Sequence, residues 1–572
     1  MFANAQDHSS ERPKVDMGWR ITPSGSCSRG QSMQTRRQIL AQSIAAGAGF
    51  AFGTRGASAQ TGTATGATWD AGKLAHVLPT ASHDRLLLKA SFKEPLESAP
   101  SVTIASRRIA GRPTGLAATT WSFDAVDLKP DTAYRIELKD ASNRTLSEPW
   151  DLRTMPAPDT SPSRLRLLVF TCAGGHDALG PINGITRFLP VDTRRRLLQR
   201  GLSFAPHAVI ANGDHVYWDL GASRAAKRLG LSPEAIAYAG EFNPKLPVHS
   251  RENLDFVAKA AGQQIAPLYG TLCRSTPVYF LQDDHDYFDN DEADDSAVTF
   301  PPSHWMTGLA RATQNMYFPE FLPDPHRPLG LPASAALDRP QNVSESFGTL
   351  RYGKLAEVLL YDVRRSMTMA GPSAVFIDKT VEGWLMTRMA AREVAHVVNI
   401  PSNPPGWSAG KWGEWYPDIL AENRTLSLKT AKPYWQSGWL AQHDRLLAAM
   451  SAMPGRVPLV LSGDLHATAE GRIFRTGAAN LERSPVIAVL TGTLGTGDGG
   501  WPSAFRGIGA LPSNVLDMKE ELKPIEENGF AIVDMTPDDI TIQYFKWKAG
   551  QDSVDAIDKL EPFRTTKLMR PA

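Results

Sequence analysis

Six short runs, residues 165–170, 207–211, 277–281, 356–361, 457–461 and 486–490, are apolar along most of their length and then break off into polar or Gly-rich residues. Runs of that length with no helical period read as strands buried on both faces, which is the pattern of a parallel sheet covered by helices. The residues that follow them are Thr171-Cys172-Ala173-Gly174-Gly175, Asn212-Gly213-Asp214, Gln282-Asp283-Asp284-His285, Asp362-Val363-Arg364-Arg365, Ser462-Gly463-Asp464-Leu465-His466 and Thr491-Gly492-Thr493-Leu494-Gly495. In open α/β sheets ligands gather at the carboxyl ends of strands, where such loops converge. The pattern therefore predicts an α/β domain with a site assembled from several strand ends.

Upstream the texture differs. Residues 68–155 carry short alternating runs separated by turn residues, the signature of a small β-sandwich. Residues 128–138 resemble the proline-turn, tyrosine and strand segment of fibronectin type III domains, which makes Tyr134 a corner residue without a catalytic part. A Pro/Ser/Asp-rich linker, residues 156–163, separates this segment from a domain over 164–572. Residues 304–342, rich in proline, are expected to form irregular excursions along a wall of the site.

The first 59 residues address the compartment. Thr35-Arg36-Arg37-Gln38-Ile39-Leu40, an Ala/Gly-rich apolar stretch over 41–52 and Ala57-Ser58-Ala59 have the order of a twin-arginine export signal behind a polar extension, with Met33 a candidate start. The expected partner is the twin-arginine export machinery and the expected location periplasmic or secreted. That route carries folded proteins and suits a chain that acquires a metal before leaving the cytoplasm. No apolar segment is long enough for a stable membrane span. A net charge of +1 gives no support for a nucleic-acid partner, and the odd, sparse set Cys27, Cys172 and Cys273 argues against a disulfide framework.

The stretch Gln282-Asp283-Asp284-His285-Asp286-Tyr287-Phe288-Asp289-Asn290-Asp291 crowds carboxylates around one histidine. Such carboxylates repel one another unless a cation sits among them; otherwise the run is a solvated acidic loop. The order of the other strand ends favours the cation for the first acids, with 289–295 left as solvated loop. Cys172, then Gly213-Asp214-His215-Val216-Tyr217, then Asp283-Asp284-His285-Asp286, then Gly463-Asp464-Leu465-His466 resembles a variant of the calcineurin-like metallophosphoesterase pattern. The variant is similar to the alkaline phosphatase D (PhoD-like) family, in which Ser/Thr-Cys replaces the first Asp-x-His, a tyrosine follows Gly-Asp, and Asp-Asp-His-Glu and Ser-Gly-Asp-x-His come later. Asp362-Val363-Arg364 resembles that family's Asp-Thr-Arg, and Gln436 with Trp439-Leu440 its Gln-x-x-Trp-Leu helix. The resemblance spans essentially the whole mature chain. Departures are Asp286 in place of glutamate, Gln282 in place of an aromatic, and Ala-Gly-Gly-His after Cys172; they touch substrate preference and leave the metal set intact.

The resemblance implies an α/β metallophosphoesterase-type αββα sandwich preceded by a small fibronectin-III/Ig-like β-sandwich. It also implies a mixed Fe³⁺ and Ca²⁺ centre, with other divalent metals as substitutes, that hydrolyses a phosphoester substrate. The metal ligands are then Cys172, Asp214, Tyr217, Asp283, Asp284, Asp464 and His466. A thiolate and a phenolate form beside a strong Lewis acid, which suits ferric iron at Cys172 and Tyr217. Asp214 is the bridging ligand, His466 returns to the iron, and Asp284 and Asp464 offer the hard oxygens Ca²⁺ prefers. Asp283 either completes the second cation's shell or holds His285. His285 is the proton donor to the leaving group with Asp286 as its orienting acceptor, and Arg364 either grips phosphate oxygens or forms a structural ion pair. His176 and His215 are neighbours of the site, and the arginines within 193–200 read as the solvated face of a helix. Residues 495–500 read as a turn. A different class, a non-catalytic envelope binding protein that keeps the fold, and a narrower enzyme acting on nucleotides or phospholipid headgroups are the competing readings.

Overall fold

The computed structural model describes residues 69–571 apart from 176, 178–184, 219–241, 244, 288–300, 328–342, 412 and 431. The export-signal segment, His176 and the acids at 289–295 lie outside the described residues. No described helix is long and apolar enough to cross a membrane.

Alternation along each buried strand builds the layers, because successive side chains of a strand point to opposite faces. In the Leu165–Thr171 strand, Leu165, Leu167 and Val169 join one buried cluster with Val358, Leu360, Val398, Leu461 and Val489, whereas Leu168 and Phe170 join another with Leu197, Leu198, Val257 and Ile265. The first cluster lies between two sheets and the second beneath helices. One sheet has six strands in the order Val278–Leu281, Ala208–Asn212, Leu165–Thr171, Asn528–Met535, Asp539–Trp547 and Arg564–Met569. Its first three strands are parallel and the rest antiparallel. The eight-stranded second sheet holds a parallel run, Ala356–Tyr361, His396–Pro401, Leu459–Ser462 and Val486–Thr491. The helices Val191–Leu202, Arg251–Tyr269 and His304–Tyr317 supply residues to the cluster on the outer face of the six-stranded sheet. Lys379–Ala390 and Ser437–Ser451 do the same for the other sheet. This is the expected αββα sandwich. Each buried Leu or Val in it contributes roughly 1.5–3 kcal/mol relative to exposure.

The six expected strands are all present, at Leu165–Thr171, Ala208–Asn212, Val278–Leu281, Ala356–Tyr361, Leu459–Ser462 and Val486–Thr491. One expectation fails: residues 304–317 are not irregular. They form a 14-residue helix, His304–Tyr317, whose N-terminus is capped by the Ser303 hydroxyl accepting from the Met306 N–H at 3.2 Å. The prolines of this region begin at 319, after the helix, so none interrupts the buried stripe of Leu309, Ala312, Thr313 and Met316.

Residues 74–153 form two four-stranded antiparallel sheets around Leu86, Leu88, Val102, Ile104, Phe123, Ile136 and Leu138. The Tyr134 hydroxyl accepts from the Lys129 N–H at 2.7 Å, which pins the turn ahead of its strand. A buried ion cluster ties these sheets to the following fold. Lys89, fully buried on the Leu86–Phe92 strand, lies 3.1 Å from Glu320, which also accepts from Arg311 at 2.7 Å, and Lys89 donates to the Asn315 carbonyl at 2.9 Å.

Burial pulls the Lys89 ammonium down to about 8 despite the Glu320 carboxylate beside it. In the unfolded chain its pKa returns to the ordinary 10.5, so above about 8 the unfolded state binds more protons and the folded state gains as pH rises. Wild type is accordingly expected to gain stability relative to Lys89→Met as pH is raised through this window. Urea unfolding at several pH values reads the difference; a flat difference contradicts the assignment.

Candidate metal centre

The strand ends meet at one edge of the two sheets, and the backbone there is unusual. Cys172, Asp214, Asp464 and His466 all have positive φ, at 48°, 56°, 67° and 44°. Non-glycine residues adopt that conformation at a cost and hold it where the surroundings dictate it, commonly at functional sites. Gly213, with φ 81°, lets the chain turn between the Ala208–Asn212 strand and Asp214; a Cβ there would stand 2.6 Å from the Asp283 side chain. Gly463 has no side chain because Thr171 occupies the space.

Thr171 stitches these turns together. Its hydroxyl donates to the Asn212 carbonyl at 2.6 Å, accepts from the Asp464 N–H at 3.3 Å and lies 3.0 Å from Cys172 Sγ. Cys172 Sγ and the Tyr217 hydroxyl both donate to Asp214 Oδ2, at 3.2 and 3.1 Å. His466 Nε2 is 3.4 Å from that hydroxyl and 3.8 Å from the carboxylate. His466 Nδ1 is 2.8 Å from the Gly500 carbonyl, so that nitrogen carries the proton and Nε2 presents its lone pair to Cys172, Asp214 and Tyr217. The 495–500 turn thus has a part in orienting a candidate ligand.

Three sets of candidate ligand atoms cluster within 4.8 Å: Cys172, Asp214 and His466; Asp214, Asp284 and His285; and Asp283, Asp284 and Asp464. The first set, joined by Tyr217, fits a metal by its chemistry. Burial, with the Asp214 charge close by, pushes both the Cys172 thiol and the Tyr217 phenol well above their ordinary values, so both keep their protons until a cation displaces them. Asp214 Oδ1 is buried without a hydrogen-bond partner, an arrangement that costs stability unless a cation or donor meets it.

The remaining candidate residues surround this set. The His285 ring packs against that of Tyr217, with centroids 4.2 Å apart and the planes tilted by 36°. Asp286 accepts backbone N–H groups from Asp214, His215, Val216 and Asp283 at 2.9–3.1 Å, and so fixes the turn that carries Asp214. Asp283 Oδ1 accepts from Arg364 Nε at 2.8 Å, and Arg364 also reaches Asp464 at 3.5 Å while fully buried. Asp362 accepts the Arg364 N–H at 2.7 Å and caps that loop. Burial raises Asp283 well above the usual carboxylate range even with Arg364 beside it. Burial pulls Asp284 the same way, and Lys411, with His285 and Arg364, reverses it to well below that range. His215 is a structural neighbour: it is buried, lowered by burial to about 4, and its Nε2 sits 2.6 Å from the Leu281 carbonyl.

Sequence reasoning misjudged one residue here and missed three. Arg194, expected on a solvated face, is buried and donates to the carbonyls of Ala173, Gly174 and Gly175 at 3.2, 2.9 and 2.8 Å, clamping the loop after Cys172. The charge run concealed it because the helix Val191–Leu202 turns that one arginine inward and leaves Arg196 to pair with Asp555 and Asp558. Gln264 accepts from the N–H groups of Gly175 and Tyr217 at 2.9 and 3.1 Å. Asn403 donates to Asp464 Oδ2 at 2.9 Å, and Lys411 Nζ lies 2.8 Å from Asp464 Oδ1 and 3.1 Å from Asp284 Oδ2. Asn403 had a legible signal, since it follows the buried strand His396–Pro401 as the other site residues follow theirs; Lys411 had none.

Comparison with solved structures places this fold. The chain matches a structure of PhoD with a TM-score of 0.54 and 13% identity, over 87% of this chain and 91% of that one. It also matches a purple acid phosphatase isolated from yellow lupin (Lupinus luteus) seeds, with a TM-score of 0.50 and 11% identity, over 87% of this chain and 74% of that one. At such identities the likeness shows a shared fold. No protein-family model and no curated protein matches the sequence.

Proposed function

We propose that this chain is an exported metal-dependent hydrolase of phosphoesters, acting on monoesters, diesters or both. The observation that carries this reading is the meeting of Cys172, Asp214, Tyr217 and His466 after three strand ends, with two buried acidic protons that only a bound cation would displace. The fold shared with PhoD and a purple acid phosphatase supports it, and the twin-arginine pattern at 35–59 supports export of the folded, loaded chain.

Cys172, Tyr217, Asp214 and His466 would hold the metal, and three anionic ligands, two of them formed by displacing a proton, suit a highly charged ion such as Fe³⁺. When bound, the metal supplies Lewis-acid chemistry, polarising a phosphoryl oxygen and making water a competent nucleophile at neutral pH. The protein's own share is orientation and proton handling. Asp286 and Arg194 hold the two turns that carry Asp214 and Cys172, and Gly500 keeps the His466 lone pair aimed inward. His285, beside Tyr217, is the proton donor to the leaving alkoxide. Arg364 is engaged with Asp283 and Asp464, so its charge acts on the carboxylate cluster. By the same resemblance Asp284 and Asp464 would serve a Ca²⁺ ion, and Lys411 stands on both of them.

The test is hydrolysis of an aryl phosphomonoester and a bis-aryl phosphodiester by the purified mature protein, before chelation, after it and after reloading with metal. Turnover of at least one ester, lost on chelation and restored on reloading, is expected. A protein that keeps its metal and hydrolyses neither ester is the envelope binding protein instead.

A further inference from the structure

Resting on the metallophosphoesterase reading, we infer that Lys411 is a built-in replacement for the second cation, so that the centre holds a single metal ion. The ammonium bridges the two carboxylates that the family pattern assigns to that cation, at 3.1 Å from Asp284 Oδ2 and 2.8 Å from Asp464 Oδ1. These are hydrogen-bond distances for an ammonium on carboxylates. The other Asp464 oxygen is met by donors as well, Asn403 Nδ2 at 2.9 Å and Arg364 at 3.5 Å. A Ca²⁺ ion needs six to eight oxygen ligands at about 2.3–2.6 Å. Two of the groups gathered on Asp464, Lys411 and Arg364, are themselves positively charged and repel a cation instead of ligating it.

Lys411 is also held in place by the fold. Its loop begins at a short strand, Trp407–Ser408, paired with Leu511–Pro512. Buried Glu414 braces the turn by accepting from the Ala409 N–H at 2.7 Å and from the Ser408 hydroxyl at 2.5 Å, and that hydroxyl accepts from the Gly410 N–H at 3.0 Å. The Lys411 side chain is 10% exposed. A lysine on a braced loop, largely out of water and seated on two carboxylates, is part of the centre's charge balance. Together Lys411 and Arg364 set two fixed positive charges against Asp283, Asp284 and Asp464, while the Cys172, Asp214, Tyr217 and His466 group draws its charge balance from the metal.

The experiment is a metal count. Mature wild-type protein and Lys411→Ala are loaded with excess iron and calcium, desalted, and analysed for both elements per chain. Lys411→Gln, closer in volume, serves if the alanine variant does not fold, and the wild-type count stands without either. A single metal ion per wild-type chain, with calcium gained once the ammonium is removed, is expected. Two metals in wild type overturn the role of Lys411 and leave the enzyme reading intact; so does a variant that gains no calcium. No metal in any of the proteins overturns the underlying reading itself.

Discussion

Asp214→Asn is expected to abolish phosphoester turnover while the protein stays folded. Asparagine has the same shape as aspartate and is among the residues that accept a left-handed backbone, so φ 56° at this position is no obstacle to folding. The loss falls on charge. Asp214 links the Cys172 and His466 cluster to the Asp284 and His285 cluster, and its Oδ2 is where Cys172 and Tyr217 converge. Removing a supporting partner of a metal ligand typically costs about 10–100-fold in affinity or activity, so removal of the shared ligand is expected to cost more. Circular dichroism and thermal unfolding separate a folded, inactive protein from an unfolded one. Activity within twofold of wild type would remove Asp214 from the centre.

The largest structural effect is expected at Asp286→Ala. Its carboxylate accepts four buried N–H groups, from Asp214, His215, Val216 and Asp283, and the substitution leaves them without that acceptor. A buried polar group left unsatisfied costs about 1–3 kcal/mol, so several together are expected to remove about 3 kcal/mol or more, non-additively. Metal affinity should fall in step, because the turn that aims Asp214 is no longer fixed. Asp286→Asn retains one acceptor oxygen and is expected to lie between. Denaturant unfolding and metal retention after desalting read the two effects. A variant that retains both stability and metal would show that the turn is held by other contacts.

These residues also show where sequence stops being informative. Strands read well because a strand buried on both faces needs a continuous apolar run, and the turn that ends it needs glycine or a small polar residue, as at Gly213-Asp214 and Gly463-Asp464. The candidate ligands were legible because they follow those runs directly. Partners that come from elsewhere in the chain were not. Arg194 looks like any arginine in a charge run until the helix direction turns it onto the Ala173–Gly175 carbonyls, and Lys411 lies in a loop braced by Glu414 and by the pairing of Trp407–Ser408 with Leu511–Pro512, neither of which follows from a periodic pattern. Helix His304–Tyr317 was concealed by proline density counted over a window, although the prolines lie outside it. Asn403 was the avoidable miss: the strand before it is as buried as the others.

One metal ion is expected among Cys172, Asp214, Tyr217 and His466. Anomalous X-ray scattering from crystals of the exported protein, collected on either side of the iron absorption edge, tests it most directly. An edge-specific peak bonded to Cys172 Sγ, the Tyr217 oxygen, Asp214 and His466 Nε2 is the predicted result. A peak at Asp283, Asp284 and Asp464 with the first four residues unligated, or no metal in catalytically active crystals, would contradict it.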